Sequence, residues 1–254
     1  MNIKLFTGLV AALTILNTVF PAADAQAVTD VTETQYNNQY EGISEDVLRL
    51  DYESWSIFND LVNTERQAID DLPLVDLNTL SWDNGVDNVE VYFINEGATF
   101  RNQLFFTTDD NQTQEIIFDD VASDLAIIAE DDGPLSLGQG VNLGSFEGDT
   151  FLEFYIKADG ANGGNSIFRY NAEDSSDGIA HLLGYQVGDY VLLGFEDIGG
   201  GGDNDFNDVV FAVKGIVGET IPPASVPEPA AGLGLAAVGA FGFMKKKKKK
   251  KNAN

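Results

Sequence analysis

Four consecutive glycines, residues 199–202, are bracketed by acids. Residues 194–213 read GFEDIGGGGDNDFNDVVFAV, with Glu196 and Asp197 ahead of the glycines and Asp203, Asp205 and Asp208 behind them. The flanks, residues 190–195 and 209–213, are near-continuous apolar runs of the kind buried strands show. Like charges crowded into one turn repel each other, and a cation held between them removes that cost. Hard oxygen ligands suit calcium. The stretch therefore predicts a strand, a glycine loop and a strand that close on a metal. Asp203-x-Asp205-x-Asn207 places oxygens at alternate positions, as at positions 1, 3 and 5 of a calcium loop, with the Val209 carbonyl at position 7. The helical calcium-loop pattern then fails, because Asp208 stands where a glycine is required and Lys214 where a glutamate is. Glu196 or Asp197 would supply the missing carboxylate across the turn. The candidate calcium ligands are Glu196, Asp197, Asp203, Asp205, Asn207 and Asp208. The competing account is that the Asp and Asn side chains cap their own turn.

Charge narrows the partners. Between Val28 and Val226 the chain holds six basic and 39 acidic residues. Such a body repels nucleic acid and anionic membranes and suits divalent cations or a neutral or cationic partner. Acidity also keeps an exported protein soluble, which is the plainer explanation. There is no cysteine, which excludes disulfides, thiol nucleophiles and cysteine-ligated metals. Bound calcium is an alternative staple for an exported chain with long loops.

Residues 1–25 have the form of a secretory signal peptide. Lys4 gives the positive start, residues 5–20 are mostly apolar, and Ala23-Asp24-Ala25 offers small-residue cleavage after Ala25, with Ala25-Gln26-Ala27 as a second option. An uncleaved N-terminal anchor is the alternative. Residues 26–80 are expected to be an extension with one helix. Residues 28–43 are polar and without period. A helix is expected to open at Ser44, with Glu45 and Asp46 in its first turn, an apolar stripe from Val47 to Ile69, and Pro73 ending it. The stripe is read as a packing face that docks on the main domain or on a partner.

From residue 81 the texture changes to short strands: 89–95, 100–107, 115–118, 151–158, 166–170, 179–187, 190–195 and 209–213, separated by Asn-, Asp- and Gly-rich turns. The fold class expected is mainly β, with residues 81–215 an acidic β-sandwich or jelly-roll-like domain. The single histidine, His181, lies in an apolar context and is read as a satisfied core or edge residue, with general base or metal ligand as the alternative. No catalytic residue stands out. The glycines carry acids instead of lysine, so they do not form a phosphate loop.

Residues 216–229 are expected to be a linker ending in Pro227-Glu228-Pro229. Residues 230–244 form an apolar segment, and residues 245–254 a basic tail that includes seven lysines. Apolar helix followed by lysines predicts a single transmembrane helix with the lysines on the cytoplasmic side. Its fifteen residues span ~22 Å as a helix, short of the ~30 Å hydrocarbon core, so lysine stems would snorkel.

This tail resembles the PEP-CTERM sorting signal of Gram-negative bacteria and cyanobacteria: a Pro-Glu-Pro motif, a short Gly/Ala/Leu helix and a basic cluster, in that order. The resemblance implies signal peptidase and exosortase as processing partners and membrane attachment through the helix before cleavage. Release to the cell surface or an extracellular polysaccharide matrix would follow. The main domain resembles the domain-of-unknown-function family 4114 in four features. These are INEGATFRN (94–102), EDDGPLSLG (130–138), His181 and the Phe195-Glu196-Asp197 to Asp208 motif, and the resemblance runs from about residue 89 to residue 213. That family has no established activity. Three functions follow as expectations: a calcium-stabilised, non-enzymatic surface or matrix protein that engages exopolysaccharide; a calcium-dependent carbohydrate-binding module; and a secreted glycosidase-like hydrolase that uses the acidic cluster.

Overall fold

The computed structural model describes residues 31–44, 46–62, 72–86, 88–108 and 114–221. The expected signal peptide, Pro-Glu-Pro motif, transmembrane helix and lysine tail lie outside the described residues. So does residue 69, the end of the expected helical stripe. Among the described residues no helix is long and apolar enough to cross a membrane.

Two α-helices lead the described residues. α1 (Glu33–Asn38) falls in the stretch expected to be loose. Thr32 and Gln35 form a capping box: the Thr32 hydroxyl accepts from Gln35 N–H, and the Gln35 side chain accepts from Thr32 N–H. α2 (Tyr52–Val62) starts later than Ser44 predicted. Ser44 instead caps a local turn, its hydroxyl accepting from Asp46 N–H, and Asp51 takes the capping role by accepting from both the N–H and the hydroxyl of Ser54. Trp55, Phe58, Asn59 and Val62 form its buried face at helical spacing.

Among the described residues thirteen strands follow: β1 (Leu74–Val75), β2 (Ser81–Trp82), β3 (Val89–Glu96), β4 (Asn102–Thr107), β5 (Glu115–Val121), β6 (Gly140–Gly144), β7 (Glu153–Lys157), β8 (Ile167–Phe168), β9 (Leu182–Val187), β10 (Tyr190–Phe195), β11 (Val209–Lys214), β12 (Ile216–Val217) and β13 (Thr220–Ile221). The chain is thus mainly β, as expected. A seven-stranded sheet runs β13-β1-β9-β10-β11-β3-β6, a four-stranded sheet runs β5-β4-β7-β8, and β12 pairs with β2. Every strand pairing is antiparallel. Residues 216–221, expected as the start of a linker, instead form β12 and β13. β1 brings a segment from ahead of residue 81 into the large sheet.

β10 and β11 are covered on both faces, which is why they read as continuous apolar runs. On one face Phe118 of β5 stacks on Phe211 of β11 at 5.7 Å between ring centroids, joining the two main sheets through a common core. On the other, Phe58 of α2 meets Tyr190 edge-on, and Trp55 Nε1 donates to the Ile94 carbonyl at 2.9 Å. The helical face thus docks on the sheet. At one rim of the large sheet, four strand ends meet: the last residue of β3, the start of β9, the end of β10 and the start of β11. Phe195 is registered with both Leu182 and Val209, and Val209 with Glu96. The glycine loop closes this rim.

Candidate metal centre

Residues 196–208 connect β10 to β11 by a backbone that uses left-handed conformations repeatedly. Gly200, Gly201 and Gly202 have φ of +97°, +88° and +51°, and Asn204 and Phe206 follow at +65° and +58°. Two glycines are needed for space as well. A Cβ on Gly202 would lie 1.8 Å from Glu196 Oε2, and one on Gly194 would lie 2.2 Å from the Phe206 carbonyl. The loop is pinned by carboxylates acting on backbone N–H groups. Glu196 Oε1 accepts from Phe206 at 2.8 Å, Asp205 Oδ1 from Asn207 at 3.2 Å, Asp208 Oδ2 from Asp197 at 2.9 Å, and Asp177 Oδ2 from Gly200 at 2.7 Å.

The six predicted ligands do not form one group. Glu196, Asp203 and Asp205 converge, each offering a carboxylate oxygen within 4.8 Å of the others. Two ligands on opposite sides of a calcium ion are separated by about twice the ~2.3–2.6 Å calcium–oxygen bond, so this spacing suits a shared ion. Glu196 is 1% exposed, and its Oε2 is buried with no hydrogen-bond partner among the described residues. Burial pushes the Glu196 carboxyl up to about 7, offset in part by the Phe206 N–H, while Asp205 and Asp203 push it higher. This buried, partnerless oxygen beside two further carboxylates fits a hard divalent cation. Asn207 is buried on the same loop.

Asp197 and Asp208 fall outside that group and contact each other instead, Asp197 N–H donating to Asp208 Oδ2. Asp197 Oδ2 accepts from Asn102 Nδ2 at 2.8 Å, and the Asn102 Oδ1 accepts from Asp159 N–H at 3.0 Å. Asp208 anchors the end of β3 as well as the loop, its carbonyl accepting from Gly97 N–H at 3.1 Å. Burial raises both carboxyls, and Asp208 is raised further by the charge of Asp197. Glu96, at the end of β3, feels the charge of Asp197. It is wholly buried, and its carboxyl is pushed up to about 10, first by burial and then by Asp197.

His181 is fully buried and satisfied on both ring nitrogens: Nδ1 is 2.9 Å from the Glu196 carbonyl, and Nε2 is 3.0 Å from Asp177. Its ring stacks on Phe168 at 3.9 Å. It therefore supports the loop from behind, as the core-histidine expectation has it, and lies just ahead of β9. Sequence reasoning gave no role to Glu96, Asn102 or Asp177. Glu96 and Asn102 lie in the INEGATFRN segment, and Asp177 in a Ser/Asp/Gly run that reads as an ordinary turn.

A cleft of about 310 Å³ opens beside the loop, lined by Phe100, Asp159, Asn165, Asp177, Asp197 and Gly199 among others. Phe100 is 37% exposed there.

No curated protein and no solved structure matches the chain. Residues 146–216 match the family model described as Domain of unknown function (DUF4114), a shorter span than the expected 89–213, and residues 225–249 match the PEP-CTERM protein-sorting motif. The matched segment runs from ahead of β7 to the first residue of β12 and contains the whole glycine loop. The chain therefore carries a segment that matches DUF4114 ahead of a PEP-CTERM sorting motif, and that motif supports an exported protein processed by an exosortase.

Proposed function

We propose that this exported protein acts at the cell surface or in the extracellular matrix as a non-enzymatic module for exopolysaccharide, its β domain completed by calcium in the glycine loop. The observation that supports the metal is the convergence of Glu196, Asp203 and Asp205 within 4.8 Å around a buried Glu196 oxygen that has no partner among the described residues. The two antiparallel sheets with a common core are read here as a sandwich, with the loop as the staple at its rim. An acidic body favours a neutral glycan over an anionic one.

A narrower reading, direct calcium-dependent carbohydrate binding, is favoured by the cleft beside the loop. Phe100 offers an aromatic face, and Asp159, Asn165 and Asp177 offer hydrogen-bonding groups for hydroxyls.

The test is thermal melting of the purified protein with calcium, with magnesium and with chelator, for the wild type and Asp205→Ala. A ligand at ~100 times its dissociation constant stabilises the native state by ~2.7 kcal/mol, so calcium should raise the midpoint by several degrees, and Asp205→Ala should remove the rise. A midpoint indifferent to every metal would sink the calcium assignment and leave the loop carboxylates as turn caps.

A further inference from the structure

We infer that a second cleft, where the two main sheets meet, is a binding site for a neutral saccharide, with Phe151 as its platform and no part for calcium. The inference rests on the exopolysaccharide reading for the class of ligand, and it moves the contact away from the glycine loop.

The cleft measures about 420 Å³, within the ~300–1,000 Å³ range of small-ligand sites. Leu77 and Leu80, between β1 and β2, and Leu182 of β9 line one side. Thr107 of β4 and residues 151–154 line the other. None of the six candidate metal ligands lines it. β4 separates it from the deeper end of the loop: Asn102 at the start of the strand holds Asp197, and Thr107 at its end reaches the cleft. Five steps along a strand cover ~17 Å.

Phe151 is 60% exposed, the most exposed large apolar side chain among the described residues. It is nevertheless fixed. Its backbone bridges Ser81 of β2, the Thr150 carbonyl accepts from Trp82 N–H at 2.9 Å, and Leu152 N–H donates to the Leu80 carbonyl at 3.1 Å. Leu152 and Phe154 beside it are buried and give the cleft an apolar floor. A rigid phenyl ring left open to water over such a floor is a preorganised platform.

The facing wall is polar and held in place by one carboxylate. Asp76 accepts from Asn78 N–H at 3.0 Å and from Asn78 Nδ2 at 3.1 Å, and it hydrogen-bonds the Tyr170 side chain. Asn171 opens the short turn Ala172–Asp174 without capping it through its side chain, so its amide is not spent on the turn. A pyranose offers C–H groups on its faces and hydroxyls around its edge. The first suit Phe151, and the second suit the amides of Asn78 and Asn171 and the Tyr170 hydroxyl. A purely apolar ligand would strand those polar groups.

Charge selects a neutral sugar. Glu153 is the one charged residue lining the cleft, and it is paired with Arg169 at 2.9 Å. Arg169 lies over the Tyr155 ring and is itself buried. The cleft therefore presents no cation to a uronate, sulfate or phosphate.

The test is affinity electrophoresis of the purified protein in gels containing a neutral glucan, mannan, galactan or xylan, or polygalacturonate, with calcium and with chelator, below the melting midpoint in chelator. At least one neutral polymer should retard the wild type equally in both conditions. Phe151→Ala should weaken that affinity at least about tenfold, since it removes the apolar face the sugar covers. Ile116→Ala, which trims an exposed apolar side chain on β5, should leave it unchanged. Circular dichroism checks folding; should Phe151→Ala not fold, Asn171→Ala takes its place with the same outcomes expected. Retardation that disappears in chelator, or that survives in Phe151→Ala, overturns this site and leaves the glycan reading to the cleft beside the loop. Retardation by polygalacturonate alone overturns the neutral class. Equal loss in Ile116→Ala shows general apolar adhesion and also overturns the site. No retardation by any polymer ends both glycan clefts, while the calcium assignment stands or falls separately on the melting test.

Discussion

Replacing Gly202 by alanine would separate the carboxylate proposed to face calcium from the backbone that carries it. Gly202 has φ +51°, and an added Cβ would fall 1.8 Å from Glu196 Oε2 and 3.0 Å from its Cδ. The carboxylate would have to swing away, pulling on the bond from Phe206 N–H to Oε1. Gly200 is the control: its φ is +97°, but an added Cβ meets nothing within 4 Å. Each alanine carries a left-handed backbone cost of roughly 1–2 kcal/mol, so in chelator both variants should melt a few degrees below the wild type. They should part company in calcium. At ~100 times the dissociation constant, the ion stabilises by ~2.7 kcal/mol, about 5–10 °C in a domain of this size. Gly200→Ala should keep that rise and Gly202→Ala should lose most of it. Differential scanning fluorimetry with and without chelator reads both numbers. If Gly202→Ala keeps the wild-type rise, Glu196 Oε2 does not face the ion and the geometric argument is wrong.

Stability of the metal-free protein should fall as pH rises. Glu196 is raised from 4.5 to about 7 by burial, so its contribution is fully present below its unfolded value and is lost as pH climbs through the folded one. Between about pH 5 and 8 this loss amounts to about 3 kcal/mol at 1.36 kcal/mol per unit, and calcium should flatten the slope; a metal-free midpoint that rises over that window would contradict the burial argument. Trp55→Ala should cost about 3–5 kcal/mol, because Trp55 is 1% exposed and ties α2 to the Ile94 carbonyl. A urea midpoint lowered by less than the equivalent of about 1 kcal/mol would show instead that α2 is loosely attached.

How much of this was legible in the chain follows from what each element depends on. β3, β10 and β11 announced themselves because strands buried on both faces need apolar residues without interruption. α1 was missed because its six residues bury only Tyr36 and so have no period, although Thr32 and Gln35 carried a capping box. α2 was placed too early because Ser44 and Asp51 are both competent caps, and only tertiary contact selects the second. β1, β2, β12 and β13 are two residues each. Pairing partners define such strands, and composition does not.

The site divides along the same line. The loop's acids and glycines are neighbours in sequence, and their chemistry could be read locally. Glu96 could not, because its place is set by the register of β3 against β11. Phe93 opposes Phe211 and Asn95 opposes Val210, a shift that leaves Ile94 as the extra residue of a bulge. With strict pairing carried on from Phe93, Val210 would meet Ile94 and Val209 would meet Asn95. The bulge instead brings Glu96 to Val209, beside Asp208. A one-residue slip in a strand exchanges the two faces, so the bulge decides which residue of the Asn95-Glu96 pair stands opposite Val209. Asn95 is left to serve as scaffold, its Oδ1 accepting from the N–H groups of Glu96 and Ile127. No count of alternating residues along β3 predicts that outcome, because both Asn95 and Glu96 are buried and the choice between them is made by the partner strand.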